Sequence, residues 1–152
     1  MAHQPIKRVE EMQGVSRDHH HALLLAFKIN KGIGLNIAPD RIRKYILWFR
    51  EEHLVPHFIV EEKWMFPILG EDNEKVQQAL SEHKRLLDLS KSAENYNTMH
   101  DFAEELKAHI RFEERDLFQD IQANATQEEL ENIQKHHTDY NFVENTTDVF
   151  WK

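Results

Sequence analysis

Two His-x-x-x-Glu pairs, His57 with Glu61 and His109 with Glu113, recur 52 residues apart. Their surroundings repeat as well: His57-Phe58-Ile59-Val60-Glu61-Glu62 against His109-Ile110-Arg111-Phe112-Glu113-Glu114. Downstream hydrophobes stay in register, Met65 with Leu117, Phe66 with Phe118 and Leu69 with Ile121. Four residues make about one helical turn, so each His and its Glu project from one helix face. Imidazole nitrogen and carboxylate oxygen on neighbouring turns, presented twice, are the donor set of a pair of borderline-hard transition metals. The spacing predicts a dinuclear metal site inside a helix bundle.

Helices must carry these pairs, and the chain punctuates itself accordingly. A first apolar-periodic segment runs from about Ser16 through Leu23, Leu24 and Phe27 to Lys31, with Gly32 and Gly34 as its stop. A second starts at Pro39-Asp40, with Asp40 as N-cap, and reaches Leu69-Gly70. A third opens near Asp72-Asn73 and passes through Val76, Leu80, His83 and Leu87 to Ser90. The fourth opens on Thr98-Met99-His100-Asp101, read as a capping box, and ends near Gln122. Thr126-Gln127-Glu128-Glu129 repeats that signal for a shorter fifth helix through Leu130 and Ile133 toward Tyr140. No window alternates like a strand, so the fold class is all-α: an up-down-up-down four-helix bundle with a short C-terminal helix, residues 1–152 forming one domain. Pro56 lies within the second helix, where it removes the bond to the Glu52 carbonyl and predicts a kink just before His57. No position for Phe150-Trp151 follows from the sequence.

The 52-residue offset is one helical hairpin, so helices one and three should be equivalent too. Each presents a His ahead of paired Leu residues: Asp18-His19-His20-His21-Ala22-Leu23-Leu24 and Glu82-His83-Lys84-Arg85-Leu86-Leu87. Matching the Leu pairs selects His20, whereas matching Asp18-His19 to Glu82-His83 selects His19. The Leu register is preferred, and the expected ligand set is His20, His57, Glu61, His83, His109 and Glu113. With both carboxylates bridging, these side chains supply about eight bonds of roughly twelve in two octahedral spheres, leaving exchangeable positions. Nitrogen and oxygen donors without sulfur favour iron or manganese over copper, with zinc compatible on affinity grounds. A lone helical His is more often a core or surface residue than a ligand; two pairs in register resist that explanation. Glu62 and Glu114 are read as outer partners of the ligands or solvated acids, and His53 as an extra ligand or such a partner. His3, His21, His100, His136 and His137 are expected at the surface. Phe58, Phe66, Phe112, Phe118, Trp48 and Trp64 are expected in the core.

Composition removes other classes. A formal charge of −8 with no Lys/Arg cluster argues against nucleic-acid binding. The absence of cysteine excludes disulfides, thiolate zinc sites, cysteine-ligated iron–sulfur clusters and Cys nucleophiles. Met1–Gln13 has no apolar signal region and no apolar run could span a bilayer, so the expected location is cytoplasmic, without membrane contact. The Glu-x-x-His of ferritin-like centres, the His-Glu-x-x-His of zinc proteases, glycine-rich phosphate loops and nucleophile elbows are all missing.

Over residues 16–122 the chain resembles the hemerythrin-like, or HHE cation-binding, domains. The resemblance rests on Asp18-His19-His20, on His57-Phe58 with Glu61-Glu62-Lys63, Phe66-Pro67 and Leu69, on Ser81-Glu82-His83, and on His109-Ile110 with Glu113-Glu114 and Leu117-Phe118. It implies a four-helix bundle holding two non-haem iron ions, an Fe–O–Fe type centre bridged also by two carboxylates, with His57, Glu61, His109 and Glu113 on the family's ligand positions. His83 and one of His19 and His20 fill its single-His positions. Oxygen-carrying members place a second His four residues after the third-helix His, where this chain has Leu87, and end on His-x-x-x-x-Asp rather than His109-x-x-x-Glu113. One His fewer leaves a more open iron, nearer to bacterial relatives associated with nitric oxide, oxidative stress, iron handling or iron–sulfur repair. Repair proteins usually add a Cys-bearing N-terminal domain, which ranks that role lower. The expectation is a centre that binds or reduces O2, peroxide or NO; the alternative is an iron reservoir or metal-dependent sensor without turnover. Neither a protein partner nor an oligomeric state follows.

Overall fold

The computed structural model describes residues 7–137 and 142–152, and those residues form helices and connections without a strand. After a 3-10 turn at Glu10–Met12, α1 spans Gln13–Gly34. The second helix, α2, is a continuous run of Pro39–Phe49, a π turn Arg50–Leu54, Val55–Val60, a second π turn Glu61–Met65 and a closing 3-10 turn Phe66–Ile68. Next come α3, Glu74–Ser92, and α4, which joins Tyr96–Phe112, a π turn Glu113–Leu117 and Phe118–Asn124. Last is α5, Gln127–His136. Short connections fold successive helices back on one another, and α1 packs most extensively against α4. The all-α helical bundle matches the expected fold class.

Capping explains several boundaries and corrects two. Asn73 starts α3 by accepting from the N–H groups of Lys75 at 2.9 Å and Val76 at 3.2 Å. The capping box of α5 is as expected: Thr126 Oγ1 accepts from Glu129 N at 3.1 Å while Glu129 Oε1 accepts from Thr126 N at 2.9 Å. In α4 the box begins three residues earlier than expected, with Asn95 as N-cap and Thr98 as its N3 partner. In α2 the expected cap Asp40 lies inside the first turn, because Pro39 already occupies the first helical position, where its missing N–H costs nothing. The disruption expected at Pro56 takes the form of the π turn just before it, in which Val55 N–H donates to Arg50 O.

Gly32 is not a helix stop; α1 continues to Gly34. A Cβ at residue 32 would lie 2.8 Å from the ring of Phe150 and 3.0 Å from Ile42. The glycine is the seat of a docked C-terminal segment. Phe150 is 1% exposed, and Tyr45 touches both Phe150 and Trp151. Lys28 Nζ, buried beneath this segment, donates to Tyr45 Oη at 3.0 Å, pairs with Glu144 and lies 4.5 Å from the Trp151 ring. Tyr140, the expected far end of the fifth helix, lies outside the described residues.

Two apolar clusters stand on either side of the His/Glu levels of the bundle. One contains Leu25, Ile29, Ile46, Phe58, Leu106, Ile110 and Phe150; the other contains Met12, Val15, Met65, Phe66, Phe118 and Ile133. No helix among the described residues is long and apolar enough to cross a membrane. Truncating Phe150 to Ala empties the Gly32 seat and should cost about 3–5 kcal/mol of stability, to be read as a lower urea midpoint.

Candidate metal centre

Between the two apolar clusters lie six polar side chains that a helix bundle would not ordinarily bury: His19, His57, Glu61, His83, His109 and Glu113. Glu61 and Glu113 are 0% exposed. They form two groups of four donors, His19, His57, Glu61 and Glu113 in one and Glu61, His83, His109 and Glu113 in the other, so both carboxylates are shared. Within each group the donor atoms all lie within 4.8 Å of one another. Every histidine turns Nε2 inward, at 3.1 Å from a carboxylate oxygen for His57, 3.1 Å for His19 and His109, and 3.2 Å for His83.

These contacts are close but mostly not hydrogen bonds. Nε2 of His57, His83 and His109, both oxygens of Glu61 and Oε2 of Glu113 are buried without a hydrogen-bond partner. Such orphans are costly, and six of them converging on one volume are donors that a cation would satisfy. Donors bound about 2.1 Å from one ion at right angles sit about 3 Å apart, which is the spacing seen. The cluster therefore fits metal ions, with nitrogen and oxygen donors of the kind that iron, manganese and zinc accept.

Each imidazole is aimed from behind by a carboxylate accepting from its Nδ1–H. His57 donates to Asp18 at 2.9 Å, His83 to Glu62 at 2.7 Å, His109 to Glu82 at 2.6 Å and His19 to Glu114 at 2.8 Å. The four bonds run round the bundle, from α2 to α1, α3 to α2, α4 to α3 and α1 to α4. This arrangement fixes the tautomer that leaves Nε2 as the inward donor. Both π turns at the site begin on the inward glutamate: Phe66 N–H reaches Glu61 O, and Phe118 N–H reaches Glu113 O. Single π turns inside α-helices gather at functional sites. Here the wider turn sends Glu61 inward while Glu62 reaches α3, and likewise Glu113 inward while Glu114 reaches α1.

Aromatic rings close the walls. Phe58 stacks on His83 with centroids 3.7 Å apart, Phe118 on His19 at 5.1 Å, and Phe66 lies 5.4 Å from His83. Electrostatics follows from the packing. Burial opposes charge on His57, but Glu61 and Asp18 outweigh it and push its pKa up to about 9. Burial and Glu113 raise Glu61, yet His57 and His19 prevail and hold it at about 2. Burial likewise opposes the Asp18 carboxylate, and its bonds to His137 and His57 still keep it well below the usual carboxylate range.

The structure brings together five of the six expected site residues, His57, Glu61, His83, His109 and Glu113. The sixth, His20, is exposed and outside the cluster, and His19 stands in its place, 3% exposed. The Leu register misled: three residues after His19 comes Ala22, buried like Leu86 three residues after His83, whereas Leu23 is 40% exposed. Matching Asp18-His19 to Glu82-His83 was the right alignment, because the acid before each His is the one that holds the next helix's ligand. His53 does not join the cluster; its ring packs on Trp48, Phe49 and Phe142. Two histidines expected at the surface are drawn inward: His21 stacks on Phe142 at 4.2 Å, and His137 Nε2 donates to Asp18 at 2.8 Å. His136 is exposed and stacks on Trp64, and His100 bonds Asn30 at the surface; His3 lies outside the described residues. Phe142, His21, His53 and Leu54 line a small cavity against His57 and Asp18.

The fold and this centre are those of the HHE cation-binding class. Residues 12–121 match the hemerythrin HHE cation-binding domain model, and the chain belongs to that family. Comparison with curated proteins and with solved structures returned no match. His19→Ala should abolish metal uptake in one of the two donor groups, whereas His20→Ala should leave uptake unchanged, measured as bound metal per chain after desalting.

Proposed function

We propose that the protein is a non-haem di-iron protein whose centre binds or reduces a small ligand such as O2, peroxide or NO. One observation carries the reading: two four-donor groups share Glu61 and Glu113, and Nε2 of His57, His83 and His109, both oxygens of Glu61 and Oε2 of Glu113 have no hydrogen-bond partner. His19 and His57 would hold one ion, His83 and His109 the other, with the two glutamates spanning both. Bound iron would supply two-electron redox chemistry and coordination positions that the protein leaves free. Leu87, four residues after His83, packs against the apolar cluster and adds no donor beside His83.

The rest is work for the chain's own groups. Phe58, Phe66 and Phe118 exclude water from the ligand faces of His83 and His19. Asp18, Glu62, Glu82 and Glu114 orient the imidazoles and hold the proton at each Nδ1. Glu62 and Glu82, with side chains 41% and 33% exposed, connect the protons on His83 and His109 to solvent. That same exposure favours the second reading, an iron reservoir releasing metal past Glu62 and Glu82 without consuming an oxidant. Oxidant consumption per iron separates the two.

Anaerobic Fe(II) loading should give about two irons per chain and near-ultraviolet charge-transfer bands on admission of air. Stoichiometry well below two, or no spectral change with O2 or NO, removes the reading. Glu61→Ala should weaken both iron positions together, and loss of a single ion would show that Glu61 does not span the pair. Since a ligand imidazole must be neutral, ions entering below pH ~9 must displace the His57 proton, while Glu61, held at about 2, stays ionised throughout. Metal affinity should therefore rise from about pH 6 to about pH 9, with proton release on loading detectable in weakly buffered solution.

A further inference from the structure

The four outer carboxylates are not held alike. Glu114, behind His19, is gripped by Arg8 Nη2 at 2.7 Å and Ser16 Oγ at 3.2 Å. Asp18, behind His57, accepts at one oxygen from His57 Nδ1 at 2.9 Å and from His137 Nε2 at 2.8 Å. Glu82, behind His109, takes an exposed bond from Gln78 at 2.9 Å, one turn away on its own helix. Glu62, behind His83, has a side chain 41% exposed. One half of the centre thus leans on segments added outside the four helices, and the other on helix faces open to solvent.

We propose that His137 is a positioning residue of the centre: it fixes Asp18, and through it His57, so that the His19–His57 half is the tighter metal position. This rests on the two-ion reading above. His137 follows α5 directly, its N–H bonded to Ile133 O at 3.0 Å, and α5 is anchored by Leu130 and Ile133 in the apolar cluster around Phe118. The imidazole side chain is 12% exposed and that of Asp18 is 18% exposed, so water competes poorly for the bond. Its ring lies over α1 at Gly14, where an added Cβ would meet His137 Nδ1 at 2.8 Å. The glycine makes room for the ring that reaches Asp18, one turn further along the same helix. A carboxylate with one partner can swing about its Cβ; two N–H donors, one from α2 and one from the residue after α5, remove that freedom. Loss of a carboxylate bonded directly to a ligating imidazole typically costs about 10–100-fold in metal affinity, and His137, one bond further out, acts through that carboxylate.

The test is a Co(II) titration of the full chain, followed by visible absorption, in wild type and variants. The wild type should bind two ions in resolvable steps. His137→Ala should weaken the tighter step toward the low end of that range, about 10-fold, and leave the other in place, and Gly14→Ala should shift the same step in the same direction. His137→Gln, whose amide N–H can occupy the place of Nε2, should restore the tighter step; it also carries the test if the Ala variant does not fold by circular dichroism. Two ions bound with the His137→Ala curve superimposed on wild type overturns the proposal while leaving the two-ion reading intact. So does an equal loss of both steps that Gln does not restore. A folded wild type that takes up no Co(II) overturns both.

Discussion

Two glutamates without any exposed surface govern this structure. Burying an ionised carboxylate in a helix bundle costs more than packing can return unless opposite charge and hydrogen-bond donors surround it. Glu61 and Glu113 meet that requirement with four imidazoles, and each imidazole meets its own with a carboxylate further out. Even so, inward nitrogen and oxygen atoms remain without partners. A cation at this place would satisfy those atoms, so the requirement of the two glutamates and the family's cation-binding character point the same way.

That constraint also explains the two-fold character of the bundle. His19 and His57 meet edge to face with ring centroids 4.9 Å apart, and so do His83 and His109. Phe118 lies on His19 as Phe66 lies beside His83. Two π turns begin on equivalent glutamates. The symmetry is broken by what lies outside the four helices. Arg8 and His137 brace the His19–His57 half, and the C-terminal segment lays Phe142 over the cavity beside His57. On the other half, Glu62 and Glu82 meet solvent directly. Two positions built from the same donors thereby acquire different surroundings, which is what a centre needs if one ion is to stay while the other exchanges its ligands.

The ionic and aromatic contacts of the C-terminal segment show how far such additions shape the core. Lys28 is buried only because Glu144 and Tyr45 receive its ammonium group and Trp151 covers it. Gly32, which as a sequence signal reads as punctuation, is instead a space for Phe150. Similarly, Gly14 is a space for His137. In both places the absent side chain records a contact with residues more than a hundred positions away.

The repeat of His57–Glu61 in His109–Glu113 by itself determined that a paired His/Glu site sits in a helical bundle, because helical periodicity puts residues four apart on one face whatever the tertiary context. The all-α class follows from the same periodicity, the start of α5 from its Thr126/Glu129 capping box, and the place of His83 in the cluster from the equivalence of the two helical hairpins. The choice between His19 and His20 was not: adjacent residues differ by about 100° of rotation, and which direction is inward depends on where α4 packs against α1. Asp18, Glu82, Glu62 and Glu114 were visible as acids beside ligands, but each acts on a helix other than its own, and no spacing rule reaches across helices. The inward turn of His21 and His137, the exclusion of His53 and the docking of Phe150 likewise depend on contacts made only once the chain is folded. Local periodicity named the donors, and packing between helices decided which of them meet.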